Sequence, residues 1–282
     1  MSAALALEEN LQIAYLGPVG TWTHQAAVEK FGHSVGFLPQ KSLAEVFNEV
    51  THGAADYGVV PIENSTEGAA RDIYRLFAAH PLHICAEINQ PAHISILGQR
   101  DIKNAERIYG HPAMIAAIGG WLTTQKPLES IECSSTSAAG EHARDDAKAV
   151  AVGNPLIAEL YGLQELASEI EDEPATARFS VVGRRNCPPT EDDLTILTID
   201  GKEMGNNLME ALEIFRDADI EVLRIDGHDE GSFSETSGRS VIRVETRGHA
   251  EVAPLSDAID ALRVQGKIVT VLGSFPRLSQ LI

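Results

Sequence analysis

Residues 173–183 read EPATARFSVVG, and two of them bear on chemistry at once. Arg178 is a permanent cation whose guanidinium presents a fork of donors suited to a carboxylate, and Phe179 starts an apolar run of strand length. Ala177, beside the arginine, can neither give nor take a proton, and Thr176 is the only hydroxyl ahead of the pair.

Three further stretches place small polar residues where a strand runs into a helix. YLGPVGTWTHQAA carries Gly17, Pro18, Gly20 and Thr21. Glycines there let backbone amides approach a ligand, and a helix N-terminus adds donors and partial positive charge, which suits an anion. No GK[ST] follows, so this is not a nucleotide phosphate loop. VVPIENSTEG carries Glu63, Asn64, Ser65 and Thr66, and ECSSTSAAGEHA carries Ser134, Ser135 and Thr136. Taken singly, the first reads equally as a tight strand-to-helix turn, and the other two read as helix caps before ligand contacts. Taken together in an α/β chain, three such junctions can converge at the carboxyl ends of strands, where ligands collect, with Arg178 supplying positive charge.

His24, His93 and His111 lie in or beside apolar segments and read as structurally satisfied side chains before acid–base groups. No His, Asp, Glu or Cys set has metal-ligand spacing, so no metal is expected. Cys85, Cys133 and Cys187 are odd in number and unpaired in spacing, which argues against a disulfide framework and fits a reducing cytoplasm.

The elements that must position these residues alternate from Leu11 onward. LQIAYLG, SVGFLP, YGVVPIEN, AHISILG, RIYGH and AKAVAVGN read as strands. THQAAVEKFG, SLAEVFNEVTHG, AAIGGWLTTQ and NPLIAELYGLQELASEI read as helices, the last from Leu156, Leu160, Leu163 and Leu166 at helical spacing. That rhythm predicts an α/β domain with parallel strands. RRNCPPTEDD marks a linker, and the segments beyond it follow the order β-α-β-β-α-β of a ferredoxin-like module.

Length and charge bound the class of function. The chain has 282 residues, 44% hydrophobic and 22% charged, ordinary for a folded soluble protein of two or three units. A formal net charge of -19 repels nucleic-acid phosphates and anionic lipid, so neither nucleic acid nor membrane is an expected partner. The start, MSAALALEENLQIAYLG, has no basic n-region, and no segment reaches membrane-spanning length.

In this order, YLGPVGTWTHQAA, VVPIENSTEG, SSTSAA and YGLQELASEIEDEPATARF resemble the signatures of the prephenate dehydratase family over about residues 11–183, and the tail is similar to a regulatory ACT domain. The resemblance implies a catalytic domain over residues 11–187 made of two α/β lobes, with a fold similar to type II periplasmic binding proteins, and a βαββαβ ACT-like domain over residues 192–282. It implies prephenate as a small-molecule substrate, no cofactor, a cytoplasmic enzyme and a homodimer or homotetramer. It carries Gly17, Pro18, Gly20, Thr21, Ser135 and Phe179 over as substrate-binding residues, and Asn64, Ser65, Thr136 and Arg178 as catalytic ones.

The chain also departs from that pattern. The family segment ends Asn-x-Thr-Arg-Phe, with its Thr helping the ring hydroxyl leave; here Ala175 and Ala177 replace Asn and Thr, and Thr176 lies on the opposite face of an extended strand. HPAMIAAI has Ala113 and Ile118 where the family has Gln and Cys. Asn206-Asn207-Leu208 and Asp226-Gly227-His228-Asp229 stand for the Gly-Ala-Leu and Glu-Ser-Arg-Pro segments associated with phenylalanine binding. The expectation is a non-aromatising prephenate decarboxylase of specialised metabolism that releases carbon dioxide and keeps the ring hydroxyl. A dehydratase with another donor, Thr176 or Thr136, and a non-catalytic prephenate-binding protein are the alternatives.

Overall fold

The chain, a computed structural model, is described over residues 11–64, 68–69, 72–201, 204–229 and 240–277. The first five elements alternate as the sequence indicates: β1 (Gln12–Leu16), α1 (Trp22–Phe31), β2 (Gly36–Gln40), α2 (Leu43–His52) and β3 (Tyr57–Asn64); β4 (Gly68–Ala69), α3 (Asp72–Ala79) and β5 (His83–Pro91), which the sequence patterns do not mark, follow. Next come β6 (Ser95–Gly98), β7 (Arg107–Gly110), α4 (Pro112–Ala116), α5 (Gly119–Thr123), β8 (Glu129–Glu132), α6 (Thr136–Asp145), β9 (Ala149–Gly153), α7 (Leu156–Tyr161), β10 (Gln164–Ala167) and β11 (Thr176–Gly183). The last are β12 (Asp193–Gly201), α8 (Met204–Asp217), β13 (Val222–Asp229), β14 (Ser240–Arg247), α9 (Leu255–Val264) and β15 (Ile268–Pro276).

Two compact units divide the chain. One takes it up to Leu76 and again over Glu87–Val181; the other takes Phe77–Ala86 and the chain from Val182 onward. The first sheet runs β2-β1-β3-β11-β5, with β4 on β3, and the second runs β10-β6-β9-β7-β8. β1 pairs in parallel with β2 and β3, as expected. Neither sheet is all-parallel, however: in the first β4 is antiparallel to β3, and in the second β7 is parallel to β8 and β9 whereas β6 is antiparallel to β9 and β10. In the second sheet the antiparallel strands are the two that adjoin the segments crossing between the sheets: β6 follows one and β10 leads into the other.

The expected helix over NPLIAELYGLQELASEI is corrected. Gly162 adopts φ 65, a left-handed conformation that caps α7 after six residues. The chain then extends as β10 against β6. Leu163 is buried, Leu166 packs on the core of the second sheet, and Leu160 is exposed. Leucines repeating at three and four residues were compatible with either structure. AAIGGWLTTQ likewise is not one continuous helix: α4 ends at its first residue, Ala116, and α5 spans Gly119–Thr123.

In the other unit β12, α8, β13, β14, α9 and β15 realise the expected β-α-β-β-α-β order, as an antiparallel sheet β13-β14-β12-β15. One face of this sheet packs on the two helices through Leu197, Ile199, Phe215, Val244, Ile259 and Leu262. No helix among the described residues is long and apolar enough to cross a membrane.

Candidate active site

The turn between β1 and α1 organises the site. Gly20 has φ 83, which suits glycine, and a Cβ there would meet Leu160 and Ser137 at 3.4 and 3.5 Å. Its carbonyl accepts two hydrogen bonds from the second sheet's side of the unit: Asn154 Nδ2 at 3.0 Å and Thr136 Oγ1 at 3.4 Å. Its amide donates to His24 Nδ1 at 3.1 Å. A single peptide therefore ties the end of β1 to the start of α6 and the end of β9.

Two helix N-termini meet at this peptide. Thr21 caps α1, its hydroxyl accepting from the His24 amide at 3.3 Å, and Ser135 caps α6, accepting from the Ala138 amide at 3.1 Å. Neither helix has an acidic residue in its first turn, whereas α2 carries Glu45 in its own. In a chain of net charge -19, this leaves two positive helix ends with no acid in their own first turns, a setting for an anionic ligand.

His24 is 6% exposed and stacks on Tyr15 at 4.6 Å between centroids, with Phe37 edge-on at 5.4 Å. Burial lowers its pKa and raises that of Tyr15. Because Nδ1 accepts from Gly20, the imidazole is neutral, which fits the structural reading of His24. His111 caps α4 from an exposed position, and His93 lies 2.9 Å from Glu171. Among the described residues no cluster of three or more His, Cys, Asp or Glu could hold a metal.

The expected residues of β11 divide between its two faces. Ala177 and Phe179 are buried on one; Thr176 and Arg178 belong to the other. Arg178 lies 2.8 Å from Glu87 Oε1 on β5, with the two side chains 16% and 9% exposed. Arg178, expected as a positive charge for substrate, is paired in this structure with the Glu87 carboxylate. Gly17 and Pro18 join through a cis peptide bond ahead of Gly20, and the Gly17 amide donates to the Gln40 carbonyl at 2.9 Å. Asn64 ends β3, and Ser65 and Thr66 lie outside the described residues. Ile118, where the resemblance expects Cys, is fully buried in the core around Ile108 and Val152.

Asn154 was missed from sequence, where GNP reads as a helix start. It follows the fully buried strand β9, is itself 0% exposed, and its Oδ1 finds no partner among the described residues. Its position just past the carboxyl end of a strand was the available signal.

The model of the family described as prephenate dehydratase matches residues 13–187. Over 281 residues the chain is 35% identical to the bifunctional chorismate mutase/prephenate dehydratase of Stutzerimonas stutzeri, covering 98% of this chain and 76% of that one. The chain belongs to the prephenate dehydratase family. Among solved structures, the prephenate dehydratase of Arthrobacter aurescens in complex with L-Phe superposes with TM-score 0.80 at 28% identity, covering 95% of this chain and 90% of that one. A protein described as GqqA, a novel type of quorum quenching acylase, superposes with TM-score 0.83 at 28% identity, covering 95% and 98%. Within the family match lie the Gly20 turn, both capped helix ends and the whole of β11.

Proposed function

We propose that this protein acts on prephenate as a dehydratase, forming phenylpyruvate. The observation that carries this reading is the likeness along 98% of the chain to a protein that bears this activity in its name. The geometry supports it: prephenate carries two carboxylates, and the ends of α1 and α6 converge at Gly20 without an acid of their own. Thr21, Ser135 and Thr136, with the backbone of Gly17 to Gly20, would hold the substrate there. Phe179 is buried on the Ala177 face of β11.

The chemistry then asks little of the protein. The ring carboxylate leaves as carbon dioxide, its bonding electrons pass through the ring, and the bond from carbon to the opposite hydroxyl breaks. The departing hydroxide takes a proton from solvent. Aromatisation provides the driving force, so binding, orientation and stabilisation of the leaving oxygen suffice, and no cofactor is called for.

A second reading is favoured by one observation, the buried methyl of Ala177 where the resemblance expects a hydroxyl. Without help at the leaving oxygen, carbon dioxide would depart alone and the ring carbon would be protonated, giving a dihydro-hydroxyphenylpyruvate. We further infer that residues 11–187 form the catalytic part, with lobes akin to type II periplasmic binding proteins. Residues 192–282 would form an ACT-type module that pairs subunits into a dimer or tetramer in the cytoplasm. Mixing purified protein with prephenate and identifying the product by mass separates the two readings: phenylpyruvate supports the first, and a product retaining the hydroxyl supports the second.

A further inference from the structure

The register of β5 on β11 assigns a partner to position 177. The Ala92 amide donates to the Ala175 carbonyl at 2.8 Å, just past the end of β5 and just before the start of β11. The two strands are neighbours in the sheet, and only opposite directions let them overlap from that point. Counting inward, Gln90 stands directly opposite Ala177, with Cβ atoms roughly 5 Å apart on one face. The contact between Arg178 and Glu87 fits the same register on the other face.

Gln90 is 5% exposed, and neither its amide nitrogen nor its amide oxygen finds a partner among the described residues. A buried amide without partners costs stability, and such a group in a native structure calls for an explanation. Leucine would fill similar space at no such cost. The pair also stands at the foot of the two segments that cross between the sheets, which run side by side: the Ile170 amide donates to the Ile94 carbonyl at 3.3 Å. Trp22, one residue past the Thr21 cap, packs on the cluster that contains Ile94 and Ile170. The first turn of α1 and the two crossing segments thus share one core.

We propose that Gln90 is a catalytic residue whose Nε2–H donates to the ring hydroxyl oxygen of the substrate as its carbon–oxygen bond breaks. This rests on the dehydratase reading and explains how that reading survives Ala177. The small methyl leaves room for the amide opposite it. A fixed amide dipole transfers no proton; it stabilises the charge growing on oxygen, and water supplies the proton afterwards.

The test compares wild type with Gln90→Leu on prephenate, recording phenylpyruvate formation, substrate affinity and melting temperature. Removing one preorganised donor of this kind is expected to slow phenylpyruvate formation about 100-fold. Prephenate affinity should stay within about threefold, and melting should occur at or above the wild-type temperature as the unpaired amide disappears. Equal rates in the two proteins would overturn the assignment of Gln90. Should Gln90→Leu fail to fold, Gln90→Met, which also lacks the donor, answers in its place with the same two outcomes. A wild type that forms no phenylpyruvate would instead overturn the dehydratase reading itself.

Discussion

Arg178 on β11 and Glu87 on β5 form a 2.8 Å ion pair that is mostly withdrawn from solvent. Two strands that are 91 residues apart in sequence at this point are thereby cross-linked by a charge-assisted hydrogen bond. Removing one partner leaves the other charge buried, so Arg178→Ala should destabilise the protein by about 3–5 kcal/mol. Replacing both, as Arg178→Met with Glu87→Leu, should recover most of the loss. Denaturant unfolding of the single and double variants checks this; a single variant as stable as wild type would mean that the pair contributes nothing.

The neutral state of His24 gives stability a pH dependence. Its folded pKa lies below the unfolded value because burial disfavours the cation. Its contribution is therefore full above the unfolded value of about 6.5 and is lost as pH falls from there through the folded value. Unfolding measured at steps from about pH 7 down to pH 5 should show declining stability. His24→Gln, which keeps an acceptor for the Gly20 amide but does not titrate, should flatten that decline. An unchanged slope in the variant would assign the effect to other groups.

What the sequence revealed follows the range of the forces involved. Thr21 and Ser135 were legible as caps because capping is local: an acceptor directly ahead of a helical pattern satisfies an amide three residues on. The β-α-β-β-α-β tail was legible because its strands and helices keep distinct periodicities. Leu156, Leu160, Leu163 and Leu166 misled because their spacing does not reveal that Gly162 turns left-handed between them. The pairing of Arg178 with Glu87, the position of Gln90 opposite Ala177 and the bond from Asn154 to Gly20 all depend on strand register and sheet packing, and no local pattern encodes them.

Phenylalanine control is expected to be absent. Asn207, where the resemblance expects alanine, is 1% exposed, and its Nδ2 donates to the Ile199 carbonyl at 3.1 Å while its side chain fills the space beside Gly201. L-Phenylalanine should therefore leave both turnover and melting temperature unchanged. A ligand at 100 times its Kd would stabilise the folded protein by about 2.7 kcal/mol, an effect thermal unfolding resolves readily. Such a shift, accompanied by inhibition, would show that the tail retains a regulatory site.

The reaction itself offers the most direct measurement: purified protein is incubated with prephenate at neutral pH, and the product is identified by mass and ultraviolet spectrum against the spontaneous background. A dehydratase whose leaving oxygen is stabilised opposite Ala177 should release phenylpyruvate and carbon dioxide in equal amounts. Carbon dioxide accompanied by a product that keeps the ring hydroxyl would contradict it.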